Sequence, residues 1–325
     1  MPVLSPASPE EIRAILSETH ALWSEGMTLE DYTAFVFAQM ETPWGRENFR
    51  YLVWKDEDTV LSSLKLYRLE ARSGSRRIVL GGIGAVYTPR AHRGQGHARA
   101  MLSAVLARVQ SEGMSGALLF SDIGVEYYHR LGFHPLPSHE FSVPLEALPR
   151  DECPRMKVER VQEADWSDIE QLYAQATAPD PFVLWRSSSY WDHLRQKERE
   201  RVRRLPGGVK SPRHWIVRCE RESLGYALVL FDPPALILTE LIVADGYPDA
   251  ARALLGALRR DGALLGATHL TGWWPPHRWS PVLPEEYIRP RPRTREVAML
   301  ASFDPALDAD ILAAYGDLFW ATDHF

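Results

Sequence analysis

The fold of this chain is decided by the stretch Gly81-Gly82-Ile83-Gly84-Ala85-Val86-Tyr87-Thr88-Pro89-Arg90-Ala91-His92-Arg93-Gly94-Gln95-Gly96-His97-Ala98. It begins as an apolar run that predicts a strand, passes through a glycine-rich turn and opens into a segment with helical apolar spacing. Such an arrangement suits an anion, because the first N–H groups of a helix lack partners and its dipole favours negative charge. Gly94 and Gly96 would let the backbone approach a phosphate, and the Arg93 guanidinium would donate to its oxygens.

Two common phosphate loops do not fit this turn. It has no Gly-Lys-Ser/Thr for a Walker-type loop, and Gly94-x-Gly96-x-x-Arg99 lacks the third glycine of the dinucleotide fingerprint. The pattern Arg93-x-x-Gly96-x-Ala98, after a strand ending Val-Tyr-Thr-Pro, resembles instead the acyl-CoA pyrophosphate loop of the GNAT-type N-acetyltransferases. The alternative is a plain glycine-rich connection.

Composition excludes several classes of protein. The 325 residues are long for one domain and comfortable for two, and the formal charge of −6 argues against a general nucleic-acid binder. Cys153 and Cys219 are too few for a disulfide framework or a four-ligand zinc site, so we expect no metal. Because the N-terminus is no signal peptide and no apolar run reaches the ~18–20 residues of a membrane span, we expect a cytoplasmic protein without nucleic-acid or membrane partners.

The rest of the first half predicts an α/β element order. Two helices are expected before residue 42, the second ended by Thr42-Pro43-Trp44-Gly45, and three strands follow up to Thr88. After the phosphate turn come a helix to about Glu112, a buried strand at 117–120 and a short helix at 125–131. This β-α-α-β-β-β-α-β-α-β order resembles the GNAT order. The resemblance implies a mixed, mainly antiparallel sheet flanked by helices.

A second signature follows the last strand. Tyr128-His-Arg-Leu-Gly132-Phe133 resembles the YxxxGF ending of GNAT enzymes, and Asp122 is expected to cap the short helix. The wider stretch Phe120-Ser-Asp-Ile-Gly-x-x-Tyr-Tyr-x-x-Leu-Gly-Phe, with an end near Asp317-Leu-Phe-Trp, most resembles the fungal lysine N6-acetyltransferases. That likeness implies a small primary amine, such as free lysine, as the acceptor.

The second half repeats the first. Ala251-Arg-Ala-Leu-Leu-Gly-Ala echoes Ala98-Arg-Ala-Met-Leu-Ser-Ala at an offset of 251 − 98 = 153 residues, which predicts two tandem copies of one fold. We therefore assign residues 1–150 to a catalytic GNAT-like domain and residues 151–325 to a degenerate copy. At the same offset Gly246-Tyr-Pro-Asp249 replaces Arg93-Gly-Gln-Gly96, so the second copy should bind no CoA. Asp249 is expected to cap its helix, and Pro281 falls opposite Tyr128. The second copy would wall the acceptor cleft or form a homodimer contact.

The resemblance implies a role for each motif residue. Acetyl-CoA would be the co-substrate, with its pyrophosphate held by Arg93, Gly94, Gln95, Gly96, His97 and Ala98 and its pantetheine arm by backbone groups of Val86 and Thr88. Tyr128 matches the family's proton donor to the CoA sulfur, because a phenol is protonated at neutral pH. A core tyrosine is the alternative, although the neighbouring Tyr127 fits that part better.

The general base stays open. An amine with a pKa near 10.4 must lose a proton, yet the strand 78–88 carries no carboxylate where many relatives place a glutamate. The candidates are Asp122, Glu126, His92, His97, His134, a water and the terminus Asp323-His324-Phe325. Some two-copy relatives, the aminoglycoside-modifying enhanced-survival acetyltransferases, use a C-terminal carboxylate.

Three functions therefore fit the sequence. The first is an N-acetyltransferase that moves an acetyl group to a small primary amine by direct attack in a ternary complex. The second is an aminoglycoside or protein-amine acetyltransferase with a wider cleft. The third is a non-catalytic acyl-CoA-binding protein, which the missing strand carboxylate favours and Tyr128 opposes.

Overall fold

The structure is a computed structural model that describes residues 1–150, 153, 155–205, 207, 209–276 and 289–325. Its helices are α1 (Pro9–Trp23), α2 (Leu29–Glu41), α3 (Pro43–Asn48), α4 (His97–Ser111), α5 (Glu126–His129), α6 (Trp166–Ala176), α7 (Ser188–Arg204), α8 (Pro248–Leu264) and α9 (Ala309–Ala313). Its strands are β1 (Val3–Pro6), β2 (Phe49–Asp56), β3 (Thr59–Ser73), β4 (Arg76–Tyr87), β5 (Gly116–Ser121), β6 (His134–Pro135), β7 (His139–Pro144), β8 (Met156–Arg160), β9 (Phe182–Leu184), β10 (Ser211–Pro212), β11 (Trp215–Cys219), β12 (Glu222–Asp232), β13 (Ala235–Val243), β14 (His269–Trp273), β15 (Arg291–Pro292) and β16 (Val297–Ser302).

Local sequence signals place most helix starts. Ser8 caps α1 through a capping box with Glu11, and Thr28 caps α2 by accepting from the Asp31 N–H. Helix α2 ends at Glu41, so the break predicted at Thr42-Pro43-Trp44-Gly45 is confirmed. The short helix α3 begins directly after it, because Thr42 accepts from the Gly45 N–H and Pro43 occupies the first helical position.

Two similar sheets form the frame of the molecule. The first has the strand order β1-β2-β3-β4-β5-β16-β6, with β9 on β3, and the second has the order β15-β7-β14-β13-β12-β11-β8, with β10 on β12. Each contains one parallel pair at the equivalent place, β4 with β5 and β13 with β14. The mixed α/β class and the tandem arrangement predicted from the repeat are confirmed.

The two sheets exchange a strand. The first-half strand β7 pairs with β14 in the second sheet, and the second-half strand β16 pairs with β5 in the first sheet. The short strand β9 also crosses, pairing with the end of β3. A boundary at residue 150 therefore divides the chain but not the sheets. Each sheet borrows a strand from the other half, and the division into domains 1–150 and 151–325 stays a prediction.

The first sheet has two different faces. One face packs against α4 and α5 in a cluster that includes Met101, Val105 and Tyr128. The other face packs against α1, α2 and α3, and residues 318–325 also lie on it. We call the first the helix-α4 face and the second the helix-α1 face. An opening between strands of this sheet would therefore connect the helix-α4 face with the helix-α1 face.

Candidate functional site

The first sheet opens between β4 and β5. The parallel pairing of these strands ends at Ile83 and Leu119, and no described strand pairs with residues 84–87 on that side. A register shift opposite Ser63–Lys65 puts a bulge in β4, where Ala85 adopts a φ of 49°. Residues 84–87 of β4 therefore have no described strand partner on the side of β5, and we call this opening between the two strands the gap.

Backbone groups of β4 face this gap. The Tyr87 carbonyl points toward β3, where it accepts from Ser62 Oγ at 2.7 Å. Because successive residues of a strand alternate in direction, the backbone groups of Val86 and Thr88 point to the opposite, unpaired edge. The structure thus leaves a strand edge that an extended amide-containing chain could join.

The glycine-rich turn lies at the mouth of the gap and ends at the N-terminus of α4. Gly94 and Gly96 have φ values of 77° and 83°, and a Cβ built on either would meet nothing within 4 Å. Among the described residues, no backbone N–H from Gly94 to Arg99 donates to a protein acceptor. Gln95, His97 and Ala98 lie on this row, which forms a concave set of donors at the positive end of a 15-residue helix.

The Arg93 side chain folds back over the strand end. Its Nε donates to the Thr88 carbonyl at 3.1 Å, and its guanidinium lies 5.8 Å from the centre of the Tyr87 ring. Tyr87 in turn donates to Glu18 on α1 at 3.1 Å. Arg93 therefore ties the turn to β4 and stays exposed at the loop, where its remaining donors can reach an anion.

Tyr128 lies where the gap begins. Its side chain is 8% exposed and packs in the same cluster as Ile83 and Leu119, the last paired residues of β4 and β5. Burial first, and then neighbouring Tyr127 and Asp122, raise the pKa of its phenol. Tyr127 is the more exposed of the two, so the expectation that Tyr127 is the core residue of the pair is wrong.

This geometry agrees with a comparison with protein families. Residues 13–136, which include the gap, the turn and Tyr128, match the family model described as the acetyltransferase (GNAT) domain. This part of the chain is therefore similar to a GNAT acetyltransferase domain. The match supports an acetyl-CoA-dependent acyltransferase as the coarse activity of the chain. No curated protein matches the sequence.

Solved structures with the same architecture cover almost the whole chain. A probable N-acyltransferase from Enterococcus faecalis is 13% identical with a TM-score of 0.72, covering 92% of this chain and 72% of that one. A GCN5-related N-acetyltransferase from Anabaena variabilis has the same TM-score and coverages at 17% identity. A tandem GNAT protein from the clavulanic acid biosynthesis pathway is 12% identical with a TM-score of 0.58, covering 94% of this chain and 99% of that one. At these identities the likeness shows the fold.

The second copy lacks the features of the GNAT domain's phosphate turn. Its equivalent helix α8 has Pro248 in the first turn and Asp249 beside it, so a donor is missing and a carboxylate is added. The cap position is occupied by Tyr247, without a side-chain hydrogen bond, so the expectation that Asp249 caps α8 is wrong. Pro281, the residue opposite Tyr128, lies outside the described residues.

The carboxylates proposed as base differ in position. Asp122 does not cap α5 as expected, because its Oδ1 accepts from the Glu296 N–H at 3.3 Å and α5 has no side-chain cap. Asp122 interacts electrostatically with both Tyr128 and His324, which lie on opposite sides of the sheet. Glu126 is exposed on α5, with only its backbone carbonyl bonded to Arg130. Asp122 is therefore the acid next to the gap.

The histidines near the phosphate turn are remote from the α1 face. The His92 and His97 rings lie 6.2 Å apart at the turn itself, and His97 Nε2 bonds to Gln95 Oε1 at 3.2 Å. His134 is exposed on β6, 5.6 Å from His129. The structure does not bring these three histidines together with the helix-α1 side of β4.

The end of the chain enters the site. The Phe325 ring lies 5.1 Å from Tyr67, and its backbone oxygen lies 3.4 Å from the position of a Cβ on Gly84. His324 packs 5.3 Å from Phe120, and burial lowers its pKa to about 3, which keeps the imidazole neutral. Sequence analysis named this segment only as a candidate, because nothing in it predicts where the tertiary structure places it.

Two lysines that sequence analysis did not name as candidates, Lys65 and Lys197, lie near this segment. Lys65 is the Cα partner of Gly84 on β3, and Lys197 comes from α7 in the second half. A lysine in an otherwise apolar strand, such as Lys65 between Leu64 and Leu66, was the available signal. No signal marked Lys197, which lies in a helix rich in charged residues.

No set of three or more His, Cys, Asp or Glu side chains in the described part of the chain could hold a metal ion. No helix in that part is long and apolar enough to cross a membrane.

Proposed function

We propose that this protein transfers an acetyl group from acetyl-CoA to the primary amine of a small molecule, by direct attack in a ternary complex. The observation that carries the proposal is the gap between β4 and β5, with the free N–H row of residues 94–99 at one end and Tyr128 at its origin. The gap connects the two faces of the sheet, so a thioester entering along one edge could meet an amine from the other face.

The residues of the gap fit the parts of acetyl-CoA. The N–H row and Arg93 would hold the pyrophosphate, and the open backbone edge at Val86 and Thr88 would pair with the pantetheine amides. Bound this way, the co-substrate supplies an activated acetyl thioester. Alignment of the two reactants by the strand edge is the largest contribution expected from the protein, up to ~7–11 kcal/mol.

The proton transfers fall to two residues at the gap. Tyr128 holds a proton on its phenol oxygen at neutral pH, because burial raises its pKa, and would donate it to the departing thiolate. Asp122 carries a negative charge near both Tyr128 and His324 and would accept the amine proton through water. The attacking amine forms the C–N bond as the C–S bond breaks, so the products are an amide and the free thiol of CoA.

A panel of primary amines tests the proposal through CoA release. Wild type should acetylate at least one small amine, and Tyr128→Phe should lower kcat by about 10²- to 10⁴-fold without weakening acetyl-CoA binding. Tyr127→Phe is the matched control and should change kcat little. Asp122→Asn should lower the rate more than Glu126→Gln does.

The outcome separates this function from its main alternative. No turnover on any amine, with acetyl-CoA still protecting the protein against heat, would favour a non-catalytic acyl-CoA-binding protein. The acceptor expected from the resemblance to fungal lysine N6-acetyltransferases is a small amine such as lysine. An aminoglycoside or a protein amine would have to reach the gap from the same side of the sheet, the helix-α1 face. The contact of residues 318–325 with this face supports a second copy that walls the acceptor cleft. A homodimer stays a prediction.

A further inference from the structure

Two lysines on the helix-α1 face have no acidic partner. Lys65 Nζ lies 5.8 Å from the centre of the Phe49 ring, and Lys197 Nζ donates to the His324 carbonyl at 3.3 Å. Among the described residues, neither nitrogen lies within 4.0 Å of a carboxylate. Both side chains are half-buried, so water replaces the missing counter-ion only in part.

Burial disfavours the charged form of both lysines, and Lys65 also disfavours the charge of Lys197. Burial lowers the pKa of Lys65 to about 8. Burial, then Arg201 and Lys65, lower the pKa of Lys197 to about 7, against a smaller opposite effect of Glu25. An unpaired cation in such an environment is destabilised unless an anion joins it.

The charged side chains around Lys65 and Lys197 do not supply that anion. Arg201 and Lys210 both pair with one carboxylate, Glu25, at 3.2 Å each. Asp122 faces His324, but so does the cationic Arg293, whose guanidinium lies 3.6 Å from the centre of the Trp273 ring. Burial lowers the pKa of both His193 and His324 to about 3, so these rings add no charge at neutral pH. Among the described side chains that act on Lys197 and His324, positive charges therefore outnumber negative ones.

We propose that Lys65 and Lys197 form a subsite for a carboxylate carried by the acceptor amine. The inference rests on the proposed acetyl transfer and narrows its acceptor to a compound that bears an amine and an acid group. Lys65 lies directly opposite Gly84, one strand away from the gap, and adjacent strands lie ~4.8 Å apart, so the acceptor must be compact. A polycationic acceptor such as an aminoglycoside would be repelled here.

The test compares three amines that differ in this one group: lysine, lysinamide and cadaverine. Wild type should prefer lysine by roughly 10- to 100-fold in kcat/KM, mainly through KM, because a charge-assisted hydrogen bond is lost with the carboxylate. Lys65→Met and Lys197→Met should each remove most of this preference, because kcat/KM should fall more for lysine than for lysinamide or cadaverine. Lys65→Arg and Lys197→Arg should retain the preference, which distinguishes charge from packing.

Lys157→Met is the control, because Lys157 is exposed on β8 of the other sheet and pairs with Glu159 at 2.7 Å. It should leave all three amines unchanged. Equal turnover of the three amines by wild type would overturn the carboxylate subsite and leave the acetyl-transfer proposal standing. A uniform loss on all three amines in the methionine variants would assign the lysines to the fold or to the backbone of Phe325, and would also overturn it. No turnover of any amine would count against acetyl transfer itself.

Discussion

At the residue scale, the site combines side chains whose charge states are set by burial. Tyr128 is kept protonated and His324 neutral, while Lys65 and Lys197 are cations in surroundings that disfavour them. Structural residues at such positions would normally be apolar. The cost of burying these lysines is therefore evidence that they serve a ligand.

The charge of Lys197 predicts a pH-dependent stability. Its pKa is about 7 in the folded protein and near 10.5 when unfolded, so the unfolded state binds the extra proton between these values. The resulting loss of folding stability is present in full below pH 7 and disappears as the pH rises from 7 through 10.5. We expect Lys197→Met to raise the free energy of unfolding most below pH 7, with the gain over wild type shrinking toward pH 10. Denaturant unfolding at several pH values measures this, and a gain that is independent of pH would contradict it.

At the element scale, α4 and α8 show how one helix N-terminus gains or loses an anion site. Both follow a strand and a turn, but α4 begins after two glycines and α8 begins with Pro248 and Asp249. The N-terminus of α4 therefore keeps its N–H donors free, whereas Pro248 removes one N–H donor from α8 and Asp249 adds a negative charge. Substitutions at the start of α4 can therefore give it the features of the α8 N-terminus.

Gly96→Asp combined with Arg93→Ala should abolish the protection of the protein by acetyl-CoA against heat. The aspartate would place a carboxylate against the pyrophosphate, and the alanine removes a cation. Gly113→Asp is the matched control, since Gly113 has a φ of 76° with nothing near its Cβ position but lies at the other end of α4. It carries the same backbone strain and should keep the protection. Protection that survives the double substitution would mean that the CoA site lies elsewhere.

The last segment of the chain is a second functional element. Arg186 lies wholly buried and bonds to Glu240 on β13, to Thr322 at 2.9 Å and to Asp323 at 2.7 Å. The Tyr226 hydroxyl donates to the same Glu240 at 2.6 Å. This network belongs to the second sheet and fixes the segment that delivers His324 and Phe325 into the first sheet's α1 face. The degenerate copy thus has a positioning role.

Arg186→Met should release this segment. The change leaves Glu240 and Asp323 as buried carboxylates without their cation, which typically costs about 3–5 kcal/mol. We expect a lower unfolding temperature and faster proteolysis after residue 317, with KM for the amine rising more than KM for acetyl-CoA. Arg186→Lys should recover part of both effects. Equal effects on the two KM values would argue for a purely structural role.

At the scale of the whole molecule, strand exchange makes the two halves interdependent. The six-residue strand β16 fills the space between β5 and β6, and β7 lies between β14 and β15. Removing either half exposes the edge of β5 or of β14 and the apolar core beneath it. The molecule has two sheets but is expected to fold as one unit.

Fragments test this directly. Residues 1–150 or 151–325 expressed alone should be insoluble or show no cooperative unfolding, because each sheet lacks an internal strand. Co-expression of both fragments is the control and should restore a soluble complex that binds acetyl-CoA. Cooperative unfolding of residues 1–150 alone would show that β16 is dispensable.

The sequence by itself determined the local elements, the repeat and the phosphate turn. Ser8 and Thr28 cap their helices, and Gly94 and Gly96 adopt positive φ values, because these features depend on neighbours a few residues away. Only the tertiary structure decided the strand exchange, the burial of Tyr128 over Tyr127 and the meeting of Lys65, Lys197 and Phe325. Lys65, Lys197 and Phe325 are each more than a hundred positions apart in the chain. Their contacts depend on which strand edges and apolar faces pair, and the periodicity within one segment does not specify that pairing.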